Sequence, residues 1–313
     1  MARRIAVGLG LMEFPFSGAA AFWRWVDLCE QGGVDSLWQT DRIVSRQPIL
    51  ECMTTLAALA GRTRRLKFGV NVVSLAMREP VLLAKQCATI DVLSEGRLLP
   101  GFGIGSPLAP EWSALGLDPK ERGRRTDEAL EIIGRLWRGE TLNFEGRHNR
   151  LREVSISPLP VQPDLPMWIG GGSEAAIRRT ARYGTGWQGG PETPEEAGAV
   201  VAAIRAALRE TGREIDADHY GAAFAFRFGP QDEPGIARFR AAYERRTGKS
   251  AEGRFVTGDA AAILARIAAY VEAGISKFIL RPVAGDDAEM QKQSRLLIET
   301  VLPEVTRIWP KSG

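Results

Sequence analysis

Histidine is scarce in this chain: His148 and His219 are the only two among 313 residues. A histidine-based metal centre or a Ser-His-Asp triad therefore has little material to work with. The three cysteines, Cys29, Cys52 and Cys87, are odd in number and lack metal-ligand spacing. Each falls in a helix-like stretch, so the expectation is buried free thiols in a reducing cytoplasm and no metal site. No apolar run approaches the ~18 residues of a membrane span. The opening "MARRIAVGLGLMEF" reads as a first strand rather than a leader, because its apolar stretch is short. A basic stripe is also missing. The net charge of +3 is spread along the chain, and its densest basic run, "GRTRRLK" at 61–67, reads as a solvated connection, which argues against a nucleic-acid partner. The phosphate-cradle pattern G-x-x-x-x-G-K-[ST] is absent too. What remains, 44% hydrophobic and 25% charged residues, is ordinary globular composition.

Strand-like and helix-like stretches alternate through that composition. Eight β-rich runs stand at 3–10, 34–40, 66–74, 97–105, 166–171, 185–190, 220–228 and 276–282. Segments of 3.6-residue period lie between them, for example 19–31, 48–60, 79–93, 121–138 and 259–273. Eight such units predict an α/β fold, a single (β/α)8 TIM barrel forming one domain over 1–313. A doubly wound open sheet would want G-x-G-x-x-G in its first strand-to-helix turn, and "GLGLMEFPF" lacks that spacing. Two connections are long, near 139–165 and 229–255, and the first reads as a hairpin with Gly146 at its tip.

A barrel gathers catalytic groups where strands end and helices begin. Asp41 and Arg42 follow the second strand, Asn71 to Ser74 end the third, Gly103 to Ser106 follow the fourth, and Arg281 closes the eighth. In "GFGIG" the glycines 101, 103 and 105 share one face by strand alternation, which suggests either the close approach of something flat or bulky or a tight barrel corner. Arg281, after apolar "FIL", is placed to hold an oxyanion with its planar fork or to pair with a loop carboxylate. In "PMWIGGGSEAAIRRTARYG", Gly170, Gly171 and Gly172 stand between a strand and a helix opening at Ser173. They serve a tight turn, or they bare backbone N–H groups to an anion at the helix's positive end. No lysine stands in the mouth for Schiff-base chemistry, since Lys277 begins its strand. Glycines with few proton-transfer groups fit an organic cofactor that carries the chemistry itself.

In order and spacing, "GVDSLWQTDR" (33–42), the block 56–105 ending "LLPGFGIG", "ERGRRTDEALEIIGRLWRG" (121–139), "PMWIGGGSEAAIRRTARYGTGW" (166–187) and "ISKFILRP" (275–282) resemble the bacterial luciferase-like monooxygenase family. The resemblance covers most of residues 5–282. It implies reduced flavin or the deazaflavin F420 in the barrel mouth, with the cofactor phosphate on Gly171, Gly172 and Ser173 and with Gly170 also binding the cofactor. It places the ring near Gly103 and Gly105, against a non-prolyl cis peptide at Asn71–Val72. Two departures stand out. The family frequently has Asp-His where this chain has Asp41-Arg42, and arginine stays charged where histidine shuttles a proton. F420-dependent sugar-phosphate dehydrogenases tend to have a glutamate where this chain has Ser106-Pro107. The expectation is an enzyme using reduced FMN and O2 to oxidise a small organic substrate, with Asp41, Arg42 and Arg281 as catalytic candidates. F420-dependent hydride transfer and a non-catalytic flavin-binding barrel are the alternatives. A flavin reductase as the source of reduced flavin and a homodimeric state complete the expectation.

Overall fold

The structure, a computed structural model, describes residues 4–248 and 250–310. Arg3, expected to begin the first strand, lies outside the described residues. In chain order the elements are β1 (Ala6–Gly10), α1 (Ala19–Gln31), β2 (Ser36–Gln39), α2 (Cys52–Arg62), β3 (Lys67–Ser74), α3 (Pro80–Leu93) and β4 (Leu98–Gly103). Next come α4 (Glu111–Ala114), α5 (Arg122–Trp137), β5 (Leu142–Glu145), β6 (Arg150–Val154), β7 (Trp168–Gly170), α6 (Glu174–Tyr183) and β8 (Gly186–Gln188). The chain continues through α7 (Pro194–Thr211), β9 (Tyr220–Phe228), α8 (Pro234–Thr247), β10 (Phe255–Gly258), α9 (Ala260–Glu272), β11 (Lys277–Pro282), α10 (Asp287–Leu296) and α11 (Leu302–Ile308).

Strands β1, β2, β3, β4, β7, β8, β9 and β11 pair in parallel, and the β8–β9 pairing closes them into a (β/α)8 barrel. They coincide with the eight expected runs. Helices cover the outside of a closed parallel barrel, so its strands are buried on both faces and read as apolar runs. β5 and β6 form the expected antiparallel hairpin, turned where the N–H of Gly146 donates to Asn149 O at 2.8 Å. The second long connection carries α8 and leads into β10, which pairs with the end of β9, Phe255 opposite Ala225. One helix starts later than its period suggests. The carbonyl of Pro48 accepts from Phe14 N–H, and α2 begins only at Cys52, where Glu51 caps the N–H of Thr54.

The barrel interior is filled by large side chains set against glycine walls. Trp38 packs with Leu99, Ala223 and Ile279 in one inward layer. A Cβ on Gly69 would stand 2.1 Å from the Leu99 carbonyl and 2.7 Å from the Trp38 ring. Gly69→Ala is therefore expected to destabilise the protein by about 3 kcal/mol, since an overfilled core must shift backbone as well as side chains. Urea unfolding measures it, and a midpoint equal to the parent's contradicts this packing. Lys277, which begins β11 as expected, is buried at the opposite end from the mouth and paired with Asp35.

Cys29, Cys52 and Cys87 are all free and buried, as expected. Burial pushes the Cys87 thiol up to about 12 and raises the other two as well. A thiolate-seeking reagent at pH 8 is expected to label none of the three until the chain is unfolded. Rapid native labelling of any one would contradict this burial. Among the described residues, no helix is long and apolar enough to cross a membrane.

Candidate functional site

The C-terminal ends of the strands surround a cavity of about 310 Å³. One wall is the end of β3, where the register against β4 shifts between Val70 and Val73 and the Asn71–Val72 peptide is cis, as the resemblance implied. The bulge turns Val72 toward the neighbouring strands. Its methyl carbons stand 3.4 Å from a Cβ built on Gly101, 2.6 Å from one on Gly103 and 2.8 Å from one on Gly170. The bulky group that the β4 glycines admit is thus Val72 of the chain itself. Gly105 does not share that face: it lies beyond β4, with φ at 74° and Met77 Cε at 3.2 Å from its Cβ position.

Asp41 is buried behind this wall with both oxygens engaged. Oδ2 accepts the Ser74 N–H at 2.8 Å, and Oδ1 accepts Arg78 Nη2 at 2.6 Å and the Cys52 thiol at 3.4 Å. Arg78 also reaches Glu51 at 3.0 Å. Burial works against the Arg78 charge, but its bond to Asp41 and the carboxylates around it hold its pKa above the ordinary value. Burial likewise opposes the Glu51 charge, yet the Thr54 N–H and Arg78 hold that carboxyl below its usual range. This cluster pins the end of β3. Arg42 turns elsewhere: Nη1 lies 3.8 Å from Glu111 Oε2, while Glu111 Oε1 accepts the N–H of Ile43 at 3.3 Å. It is not among the residues described as lining the cavity.

Arg281 does line it, its stem running past Gly10, whose missing Cβ would stand 3.2 Å from Arg281 Cγ. Two carboxamides share the cavity. Asn71 Nδ2 and Gln188 Oε1 are buried there without a hydrogen-bond partner among the described residues. The second long connection supplies Phe239 and Tyr243 from α8, together with Arg254, whose Nη2 donates to Glu196 Oε1 at 2.9 Å.

A second cavity, about 200 Å³, shares Gly170 and Gly171 of its lining with the first. Its floor is Gly171, Gly172 and Ser173, and Gly103 is also in its wall. Gly171 holds φ at 103°, a region that glycine enters without steric cost. Trp187 Nε1 donates to the Gly171 carbonyl at 2.9 Å, which fixes the loop. The Ser173 hydroxyl caps α6 by accepting the N–H of Ala176 at 3.3 Å. The remaining N–H groups of the first turn have no partner within the helix, and the helix dipole is positive there.

The structure brings together Asn71, Val72, Arg281 and the 170–173 loop, and it sets Asp41, Arg42 and Gly105 outside the cavity lining. Gln188, Glu192, Phe239, Tyr243 and Arg254 line the mouth without having been singled out from sequence. Gln188 carried a usable signal, a polar residue between Trp187 and Gly189 at a strand's C-terminal end. The others come from loops and an insertion that no periodicity places.

Fold and site together define a (β/α)8 barrel with a polar-edged cavity at its mouth and, beside it, a glycine-lined cavity at a helix N-terminus. The family model of luciferase-like monooxygenases matches residues 6–277, and the chain belongs to that family. An uncharacterised protein of Mycobacterium tuberculosis is 34% identical over 168 residues, covering 53% of this chain and 57% of that one. An F420-dependent glucose-6-phosphate dehydrogenase of Amycolatopsis mediterranei is 30% identical over 171 residues, covering 50% of this chain and 49% of its own. The chain spans about half the length of the curated relatives it matches. Among solved structures, the oxygenating constituent of 3,6-diketocamphane monooxygenase from Pseudomonas putida, in complex with FMN, superposes with a TM-score of 0.79. That match covers 96% of this chain and 98% of the other at 17% identity, a likeness of fold.

Proposed function

We propose that the protein is an oxidoreductase that binds reduced FMN in the barrel mouth and, with O2, oxidises a small organic substrate. The observation that carries this reading is that the two cavities share Gly170 and Gly171 in their linings. On one side lie Asn71 Nδ2 and Gln188 Oε1, buried without a partner among the described residues and suited to the polar edge of a flavin ring. On the other lie open backbone N–H groups at a helix N-terminus, suited to a phosphate. Reduced FMN, when bound, supplies the electrons and the reactivity toward O2.

The chain's own residues bind, orient and exclude water. Gly171, Gly172 and Ser173 hold the phosphate. Asn71 donates and Gln188 accepts at the ring edge. Phe239 and Tyr243 keep the mouth dry, which strengthens every electrostatic contact inside it. Asp41 acts at a distance, holding β3 through Ser74 and Arg78. Arg42, paired with Glu111 at the end of β2, tunes the field at the rim. Arg281 holds an acidic or oxygen-bearing group of the substrate with its planar fork. A separate cytoplasmic flavin reductase supplies the reduced flavin, and the enzyme works as a homodimer.

The relatedness to an F420-dependent dehydrogenase favours a second reading, hydride transfer to or from F420. O2 uptake with reduced FMN, run beside optical detection of F420 reduction, separates the two. Substrate-dependent O2 uptake is expected; F420 reduction without it overturns the FMN reading. In the same assay Arg42→Ala is expected to lower turnover more than FMN affinity, because it lies away from the phosphate. Loss of FMN binding with turnover per bound flavin retained contradicts that role.

A further inference from the structure

We infer that Thr126, on α5, is a phosphate-binding residue whose hydroxyl donates to a terminal phosphate seated on the N-terminus of α6. The naming of that phosphate as FMN's rests on the function proposed above; the subsite itself does not.

Thr126 is 1% exposed and lines the 200 Å³ cavity together with Gly172 and Ser173. Its Oγ1 is buried and has no hydrogen-bond partner among the described residues. A threonine inside a helix has a ready acceptor in the carbonyl four residues back, and its two favoured χ1 rotamers reflect that option. The other helices use it. Thr55 donates to Glu51 O, Thr89 to Lys85 O, Thr180 to Ala176 O and Thr306 to Leu302 O. Thr126 makes no such bond to Arg122 O. A buried hydroxyl left without a partner is costly, so its side chain is arranged for something the protein atoms do not supply.

What faces it decides the chemistry of that ligand. Gly171, Gly172 and Ser173, which lead into α6, a helix of ten residues, line the same cavity, and backbone N–H groups at a helix start lack partners within the helix. These donors and the positive end of the helix dipole call for an anion with several acceptor oxygens. Arg179 lines the cavity but is already committed, with Nε on Asp127 Oδ1 at 2.6 Å and Nη2 on Gly123 O at 3.3 Å. Charge neutralisation therefore falls chiefly to the helix terminus, and the Thr126 hydroxyl supplies one further neutral donor. A phosphomonoester end meets both, since some of its terminal oxygens take the loop N–H groups and another takes the O–H.

The test compares the purified full chain with Thr126→Val, which keeps the shape and removes the hydroxyl, and with Thr126→Ser, which keeps the hydroxyl. Each is titrated calorimetrically with inorganic phosphate, FMN and riboflavin. Thr126→Val is expected to bind phosphate and FMN about tenfold more weakly and riboflavin unchanged, the loss of one hydrogen bond to a charged group. Thr126→Ser is expected to keep the parent affinities. Phosphate weakened by Thr126→Val in a chain that binds no FMN upholds the subsite and overturns the flavin reading. Equal phosphate affinities in parent and Thr126→Val, or a parent that binds neither phosphate nor FMN, overturn the inference.

Discussion

Gly172→Asp is expected to reduce FMN affinity at least about tenfold, ~1.4 kcal/mol, while the barrel stays folded. A Cβ at position 172 would stand 3.0 Å from Val200 Cγ2, a stiff β-branched contact, and 3.3 Å from Glu192 Oε1, a flexible one, so a local shift of a few tenths of an ångström accompanies the substitution. The new side chain would leave the loop on the side of Val200 and Glu192, and would set a second negative charge beside the backbone that carries the donors assigned to the phosphate. That charge would repel the phosphate itself. Gly172→Ala separates bulk from charge and is expected to lose much less. Equal FMN affinities for parent and Gly172→Asp on fluorescence titration would remove the phosphate from this loop.

Arg78→Ala is expected to cost about 3–5 kcal/mol of stability, because it strips the cation from a buried carboxylate. The Asp41 side chain is 2% exposed, and Arg78 Nη2 stands 2.6 Å from its Oδ1. Water cannot readily replace the guanidinium there, and the same carboxylate holds the Ser74 N–H at the end of β3. Arg78→Lys keeps the charge without the planar fork and should recover only part of the loss. Urea unfolding with an unchanged slope measures the effect; a shift under 1 kcal/mol would mean that Asp41 is not held as described.

The barrel was readable because its strands are buried on both faces, so each is an apolar run bounded by turn residues. "YGAAFAFRF" at 220–228 is such a run, and β9 occupies all of it. Position at strand ends was readable for the same reason, since Arg281 and the 170–173 loop fall where the alternation places them. Side-chain direction was not. Arg42 follows its strand as expected, but Glu111, far along the chain, decides where it points. The "GFGIG" glycines signalled close approach correctly, yet the group that approaches is Val72, brought over by a bulge in the adjacent strand. Thr126 lay within an amphipathic helix pattern, and only the missing bond to its own helix marks it out. Nothing in the period of 229–255 discloses that α8 would bring Phe239 and Tyr243 to the mouth.

The central claim is that the mouth holds a flavin nucleotide with its phosphate on the 170–173 loop. Equilibrium titration of the purified chain with FMN, beside riboflavin and F420, tests it most directly. The expected result is one FMN bound per chain, at least about tenfold tighter than riboflavin, which lacks the phosphate. Equal affinities for FMN and riboflavin, or tight F420 binding with no binding of FMN, would contradict it.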